Sequence, residues 1–206
     1  MGPCFIVLDG ADGCGKTTQA KLLAKALRRR GADLILTHEP GGTPAGQRIR
    51  QVLLSPATGE LNPLTEALLF CADRAQHVNT LIIPALQAGK TVVCDRFASS
   101  TAVYQGFAAG LGFELVQQLN DIATGGLQPD LLVVLDIDLA HARGRMDPQR
   151  LDRIEQYTED FHERVRQGFI EYTRRLGERA VVIDSNPPIE KVHQDIMQVV
   201  EKVIRR

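Results

Sequence analysis

The chain alternates between short apolar runs and longer segments in which apolar residues recur every three or four positions. The runs are rich in Val, Ile and Leu, are bounded by turn residues, and span 4–9, 34–37, 91–95, 131–137 and 180–184. Runs of this length predict strands that are buried on both faces. The segments between them predict helices at 20–27, 64–81, 113–123, 152–176 and 188–204.

Strands that alternate with helices predict an α/β fold with a parallel sheet covered on both sides. The 206 residues fall within the size of one domain, and no repeat, low-complexity tract or linker interrupts the pattern. We therefore expect a single domain over residues 1–206, with three layers, α/β/α, around a five-stranded parallel sheet.

Composition narrows the classes of partner. Lys and Arg number 24 against 25 Asp and Glu, so the bulk charge does not predict binding to a nucleic acid polymer or an anionic membrane. The four cysteines are widely spaced, which favours reduced thiols over a zinc site or disulfides. The N-terminus "MGPCFIVLDG" turns polar too early for a signal peptide or a membrane span. We expect a soluble, cytoplasmic protein.

The stretch "LDGADGCGKTTQ" carries the first chemical signal. Gly10, Gly15, Lys16 and Thr17 match G-x-x-x-x-G-K-[ST] between a predicted strand and a predicted helix, the context of a phosphate-binding P-loop. Backbone N–H groups of the loop would hold phosphate oxygens, Lys16 would reach the β- and γ-phosphates, and Thr17 would ligate Mg²⁺. We predict a P-loop NTPase fold with ATP and Mg²⁺ as cofactors. The predicted nucleotide-binding residues are Gly10, Ala11, Asp12, Gly13, Cys14, Gly15, Lys16, Thr17, Thr18 and, further along the chain, Arg143.

Asp95 is the candidate for a second group near the metal. It ends the run "TVVCD", and a carboxylate at the C-terminal edge of a parallel strand faces the ligand crevice. A strand-end aspartate is also a common helix cap. Arg96 follows directly, and a basic group beside that carboxylate favours an anion site.

Several protein classes share a P-loop. A regulatory GTPase needs N-K-x-D to read guanine, and none of the four asparagines precedes a lysine. Motor and transport ATPases need more chain than 206 residues. A small-molecule kinase remains, and its acceptor is either a hydroxyl, which profits from a general base, or a monophosphate, which is already mostly dianionic at neutral pH.

Arginines favour the monophosphate, because guanidinium groups bind phosphate in bidentate fashion. Arg74 lies one helical turn after Phe70, and Arg96 follows Asp95. Four further arginines occur in "HARGRMDPQRLDRIEQ", where Gly144 and Pro148 predict a short mobile lid at about 141–153 that closes over the triphosphate.

These residues resemble the bacterial thymidylate kinase family, whose members phosphorylate dTMP to dTDP. The similarity spans nearly the whole chain: the P-loop, "EPGGT" (39–43), "LLFCADRAQH" (68–77), "VVCDRFASSTAVYQG" (92–106), "PDLLVVLDI" (129–137) and "LDRIE" (151–155). The resemblance implies an ATP- and Mg²⁺-dependent dTMP kinase in dTTP synthesis, working as a homodimer.

Carried over by position, the resemblance also implies site residues. Asp9 would stand near the sugar 3′-hydroxyl and the acceptor phosphate, Arg96 would grip that phosphate, and Phe70 would stack on thymine. Arg74 would donate to the base carbonyl O4, and Tyr104 would disfavour a ribose 2′-hydroxyl. The remaining residues implied for the substrate pocket are Glu39, Ser100, Thr101 and Gln105.

The catalytic arginine of this bacterial type comes from the lid, since Ala11–Cys14 contains no arginine. Arg145 and Arg150 are the first candidates, followed by Arg143 and Arg153. Two alternatives to the dTMP kinase hypothesis stay open: a kinase for another nucleotide or nucleoside, and a non-catalytic nucleotide-binding module.

Overall fold

The protein is described by a computed structural model over residues 2–149 and 151–204. Within these residues, one sheet contains the strands β1 (Phe5–Gly10), β2 (Leu34–His38), β3 (Thr91–Asp95), β4 (Leu131–Asp136) and β5 (Ala180–Asp184). The spatial order is β2-β3-β1-β4-β5, and every neighbouring pair is parallel. The predicted five-stranded parallel sheet is confirmed.

Helices cover both faces of this sheet. Their bounds are α1 (Lys16–Arg29), α2 (Pro44–Leu54), α3 (Pro63–His77), α4 (Ile83–Gln87), α5 (Ala98–Thr101), α6 (Phe113–Thr124), α7 (Leu139–Gly144), α8 (Glu159–Leu176) and α9 (Ile189–Ile204). Two π-helical segments, Val78–Ile82 and Ala102–Ala108, continue α3 and α5, and 3₁₀ turns occur at Pro56–Thr58 and Gly177–Arg179.

The alternation of side chains along β1 divides the core into two halves. Phe5 and Val7 join one apolar cluster, which α6 and α8 complete. Ile6 and Leu8 join the other, which contains buried residues of α1 and α9. Because successive residues of a strand point to opposite faces, this arrangement is the three-layer α/β/α fold that the alternation of elements predicts.

Two predicted helices differ from the structure. The helix expected at 152–176 begins only at Glu159, because the Asp152 carboxylate accepts from the backbone N–H of Ile154 and Glu155 and holds a turn there. The helix expected at 64–81 passes into π geometry at Val78.

The apolar pattern does not predict the helices α2, α4, α5 and α7. For α2, the signal lies instead in its cap, since Thr43 Oγ1 accepts from the N–H of Gly46 and Pro44 occupies the first turn, a typical helix start.

The parallel register brings functional candidates to one sheet edge. Leu8 pairs with Asp95, and His38 pairs with Asp95 from the other side, so β1, β2 and β3 end together. The carboxyl edge of such a sheet is where ligands bind in this fold class. Among the residues described, no helix has both the length and the apolar character needed to cross a bilayer.

Candidate active site

The P-loop joins β1 to α1 and encloses the ammonium group of Lys16. Lys16 Nζ donates to the carbonyl oxygens of Gly10 (3.1 Å) and Ala11 (2.7 Å). Gly15 precedes α1 in the left-handed region, at φ 92°. A Cβ at Gly10 would lie 2.4 Å from the carbonyl oxygen of Leu135, so the loop requires glycine to pass between β1 and β4.

A cleft of about 1200 Å³ opens at the carboxyl edge of the sheet. Most of the predicted site residues line it: Asp12, Gly13, Cys14, Gly15, Lys16, Thr17, Thr18, Glu39, Phe70, Asp95, Arg96, Ser100, Thr101, Tyr104, Gln105 and Arg145. Asp9 and Arg74 lie behind its wall and are nearly inaccessible to solvent. Arg150 lies outside the described residues.

The candidate metal residues meet directly. Thr17 Oγ1 donates to Asp95 Oδ2 at 2.5 Å. Both are oxygen ligands, as Mg²⁺ requires, and a P-loop hydroxyl beside a strand-end carboxylate is the donor set that holds this ion together with triphosphate oxygens. The pair therefore fits the predicted role.

Arg96 lies at the centre of a charged cluster in the cleft. Its backbone lies in the left-handed region, at φ 69°, a conformation that costs a non-glycine residue about 1–3 kcal/mol. Nη1 donates to Ser100 Oγ (3.0 Å) and lies 3.4 Å from Asp9 Oδ1, while Nη2 contacts the carboxylate of Asp12. Tyr104 donates its hydroxyl to Asp12 Oδ2 at 2.7 Å.

The two carboxylates around Arg96 have opposite pKa shifts. Burial raises the pKa of Asp9, and the charge of Arg96 and the hydroxyls of Ser99 and Ser100 only partly offset it. Burial would also raise the pKa of Asp12, but Arg96 and Lys16 more than compensate and hold it below its usual value. Asp12 is thus a firmly ionised group between the two cations of the cleft.

The carboxylate of Asp9 already accepts hydrogen bonds from the protein on both of its oxygens. Its oxygens accept from Ser99 (2.5 Å), Ser100 (2.7 Å) and the N–H of Gly10 (2.9 Å). It lies at 0 % exposure. This placement favours a role in orienting Arg96 and Ser100 over a direct contact with a ligand.

Arg74 is held in a buried polar network. Its Nε donates to Glu39 Oε2 (2.9 Å) and its Nη2 donates to Thr101 Oγ1 (3.0 Å). The other oxygen of Glu39 lies 2.9 Å from His77 Nδ1, and Arg74 Nη1 donates to Asn120 Oδ1 at 2.7 Å. Glu39 therefore acts as the counter-charge of Arg74, which the spacing of these residues in sequence did not indicate.

The described lid arginines have three different environments. Arg145 is exposed, lines the cleft and donates from Nη2 to the carbonyl oxygen of Ser185 at 3.0 Å. Arg143 faces outward and lies 3.3 Å from Glu159 Oε1. Arg153 is buried against Glu66. Among these three, Arg145 alone reaches the cleft.

Two segments of the cleft wall were missed in the sequence. Ser185–Ile189 line its P-loop end, where Ser185 Oγ donates to the carbonyl oxygen of Cys14 at 2.6 Å. Asp152 and Glu155 line the cleft as well. The first segment begins directly after β5 with the turn-forming residues "SNPP", so its position after a strand could have indicated a place in the cleft wall. The second segment lies within "LDRIE", so its membership of that motif could have done the same.

Comparisons with known proteins agree with this geometry. A protein-family model described as thymidylate kinase matches residues 8–196. A thymidylate kinase of Desulfosudis oleivorans is 47% identical over 207 residues, covering 97% of each chain, and one of Pelotomaculum thermopropionicum is 46% identical over 202 residues, covering 97% of this chain and 94% of the relative. The crystal structure of thymidylate kinase from Ehrlichia chaffeensis superposes with a TM-score of 0.82 at 34% identity, covering 98% of this chain and all of that one.

The packing of the P-loop against α7 yields a prediction. Gly13 lies at φ 77°, and a Cβ there would lie 2.5 Å from the carbonyl oxygen of Ala142. We expect Gly13→Ala to displace the loop or the start of the lid and to weaken binding of a non-hydrolysable ATP analogue by about tenfold or more, measured by calorimetry, as a misplaced oriented loop typically does. Gly31→Ala is the matched control, because φ is 85° and nothing lies within 4 Å of the added Cβ. Equal affinity in the two variants would contradict the steric explanation.

Proposed function

The chain belongs to the thymidylate kinase family, and we propose on that premise how its residues transfer the terminal phosphoryl group of ATP to the phosphate of dTMP. The reaction gives dTDP and ADP and serves dTTP synthesis. The observation that carries the assignment of roles is the position of Arg96, whose guanidinium lies in the same cleft as Lys16 and the P-loop. One cation thus stands at each end of the path of phosphoryl transfer.

The donor end binds ATP through the P-loop. The N–H groups of Asp12 to Thr18 and the dipole of α1 hold the β- and γ-phosphates, and Lys16 exchanges its loop carbonyls for phosphate oxygens. Gly10 and Ala11 begin the loop, and their carbonyl oxygens hold the ammonium group of Lys16 before ATP binds. Ser185–Ile189 form the wall beyond this loop, where the nucleoside part of ATP extends from the phosphates.

The acceptor end places the phosphate of dTMP on Arg96. Asp9, Asp12 and Ser100 hold this guanidinium in position, so the phosphate meets a preoriented cation. The phosphate exchanges for Asp12 as the partner of Nη2. Since a phosphate monoester is already mostly dianionic at neutral pH, the acceptor needs orientation and no general base.

Charge neutralisation supplies most of the catalysis. The transferring group has a loose transition state with charge on its equatorial oxygens. Lys16 and Arg96 flank this group, and Arg145 extends over the P-loop from the lid. Arg150 stays a first candidate beside Arg145 for contact with the transferring group, and Arg143 stays a secondary one. An arginine in this role contributes on the order of 10³ to 10⁵ in rate in related enzymes.

The nucleoside of dTMP occupies the pocket beyond Arg96. Phe70 is half-buried in the cleft wall and stacks on thymine, a contact generally worth about 1–3 kcal/mol. Thr101 and Gln105 face the base edge. Arg74 and Glu39 support this pocket from behind, and Tyr104, fixed by Asp12, closes the side of the sugar.

Arg96→Ala tests the acceptor assignment. We expect ADP formation in a coupled assay with ATP and dTMP to fall by about 10³-fold in kcat/KM, because the variant loses the cation that orients the acceptor. Arg174→Ala, an exposed arginine on α8, is the control.

A panel of nucleoside monophosphates should show dTMP as the preferred acceptor and dUMP as a poorer one, since one methyl group gives only about 1–3 kcal/mol of discrimination. Faster turnover of AMP or thymidine than of dTMP would contradict the proposal.

Mg²⁺ is proposed at Thr17 and Asp95. The Thr17 hydroxyl and the Asp95 carboxylate would supply oxygen ligands to the ion, together with phosphate oxygens of ATP and water. When bound there, the ion neutralises charge on the β- and γ-phosphates.

A carboxylate substitution tests this metal site. We expect Asp95→Asn to raise the Mg²⁺ concentration that gives half-maximal activity by about tenfold, because an amide oxygen carries no formal charge, while dTMP binding changes by less than about twofold. The measurement is a Mg²⁺ titration of ADP formation, with dTMP affinity followed separately by calorimetry. An unchanged Mg²⁺ requirement would remove Asp95 from the proposed site.

A cytoplasmic location is inferred from the cysteines. Cys4, Cys14, Cys71 and Cys94 are all buried free thiols, and burial raises the pKa of Cys4 to about 12. Thiols that stay reduced are typical of the cytosol.

A homodimer is proposed through the outer faces of α3 and α6. Leu64 and Leu68 share one exposed side of α3, and Leu115 and Ile122 are exposed on α6, with Ile122 at 80 %. Helices α3 and α6 pack against each other, so these side chains form an apolar surface of the kind that mediates symmetric dimers.

Charge placed on this face tests the dimer. We expect Leu68→Glu combined with Ile122→Glu to give monomers at micromolar concentration in light scattering coupled to gel filtration, because two carboxylates from each subunit would be buried in a symmetric interface. Val182→Glu, on the exposed edge strand β5, is the control and should leave the mass unchanged. A monomeric wild-type protein would refute the proposed dimer.

A further inference from the structure

Glu66 connects the nucleoside pocket to the segment that follows the lid. It lies in the first turn of α3 at 2 % exposure. Oε2 accepts from Gln105 Nε2 at 3.0 Å. Oε1 accepts from the Tyr157 hydroxyl at 2.7 Å and lies 2.6 Å from Arg153 Nη1. One buried carboxylate thus joins three elements that are distant in sequence.

The carboxylate of Glu66 is held in place by a permanent positive charge. Arg153 is 6 % exposed, and its Nε donates to the carbonyl oxygen of Leu53 at 2.9 Å. Burial lowers the pKa of Arg153, but the hydrogen bond and the charge of Glu66 raise this pKa by more than burial lowers it. The net shift of the Arg153 pKa is therefore upward. Paired in this way, Glu66 accepts hydrogen bonds on both oxygens and donates none.

This constraint fixes which way the Gln105 amide points. An acceptor-only partner requires the NH₂ group of Gln105 to face Glu66, because the flipped amide would set oxygen against oxygen. Gln105 Oε1 is then turned to the other side. It is buried and has no hydrogen-bond partner among the described residues, although Gln105 lines the cleft. A buried acceptor without a donor favours a ligand that supplies an N–H group.

We propose that Glu66 is a specificity-determining positioning residue, which fixes the Gln105 amide so that its oxygen accepts from the ring N–H of the acceptor base. The inference rests on the proposed dTMP kinase function. Thymine carries a hydrogen at N3, whereas neutral cytosine carries a lone pair there. The observed amide orientation therefore selects thymine, and the reversed orientation would present a donor that suits cytosine.

Glu66→Gln tests this selection, because it changes the hydrogen-bonding pattern without a change of shape. The new amide keeps its oxygen toward Arg153 and Tyr157 and turns its NH₂ toward Gln105, so Gln105 rotates to accept and exposes its own NH₂ to the ligand. We expect the preference for dTMP over dCMP, as the ratio of their dissociation constants and of their kcat/KM values, to fall by at least about tenfold. KM for ATP should stay within about twofold of wild type, since the P-loop is untouched.

Two companion variants separate this effect from lost packing. Tyr157→Phe removes one donor to Glu66 but keeps the carboxylate, so the dTMP to dCMP ratio should stay that of wild type. Since Glu66→Gln leaves Arg153 without a counter-charge, Glu66→Gln/Arg153→Met is measured alongside and should show the same change in ratio. Thermal unfolding midpoints report whether each variant is folded.

Different results would contradict the role of Glu66 and the proposed dTMP kinase function. A dTMP to dCMP ratio equal to that of wild type in a folded variant carrying Glu66→Gln overturns the role of Glu66, and so does an equal loss of affinity for both nucleotides. Absence of dTMP-dependent ADP formation in the wild-type protein contradicts the proposed function itself.

Discussion

The guanidinium of Arg96, held between the buried carboxylate of Asp9 and the partly exposed carboxylate of Asp12, is the constraint on which the site depends. It follows β3 directly, and a left-handed backbone at this residue turns the side chain back over the sheet edge toward Asp9 and Asp12. The central position of β1 in the sheet brings Asp9 under Arg96, and the P-loop brings Asp12 beside it. Sheet order, loop conformation and backbone strain therefore converge on the position of one cation.

Buried polar networks extend this rigidity through the acceptor half of the cleft. Arg74 is paired with Glu39, and Glu66 is paired with Arg153, with all four side chains at 6 % exposure or less. Removing one partner of such a buried pair typically costs about 3–5 kcal/mol, because the other charge is left uncompensated. The networks consequently hold Thr101 and Gln105, which line the cleft, in single orientations.

The parts of the fold that sequence could predict are those specified by local pattern. The five strands follow from apolar runs in the sequence. The P-loop follows from one short motif, formed by Gly10, Gly15, Lys16 and Thr17. The pairing of Glu66 with Arg153 joins two residues that are far apart in the sequence, and no local sequence pattern encodes it. The burial of Arg74 was missed for the same reason, since its partners Glu39, Thr101 and Asn120 come from separate elements.

Helix boundaries were missed where side chains compete with the backbone. The apolar period of 152–176 is real, but Asp152 caps a turn and delays α8 to Glu159. Likewise the helical stretch 98–108 begins with "ASST" and contains Gly106, residues that weaken any propensity-based prediction. Packing against α8 and α6 supplies what propensity lacks there.

The two ends of the cleft differ in how their charges are held, and the difference matches their tasks. In the lid, outside the cleft, Arg143 and Glu159 form a solvent-exposed pair with side chains 57% and 62% exposed, and such pairs contribute only about 0–1 kcal/mol. Arg145 is likewise exposed and is held by one backbone carbonyl. Groups held this weakly can change partners at little cost when a triphosphate arrives. At the acceptor end, buried pairs fix the hydrogen-bonding pattern before any ligand binds. With the proposed function, this difference between the buried pairs and the exposed lid arginines fits a kinase that chooses one base among several, yet binds and releases ATP in every cycle.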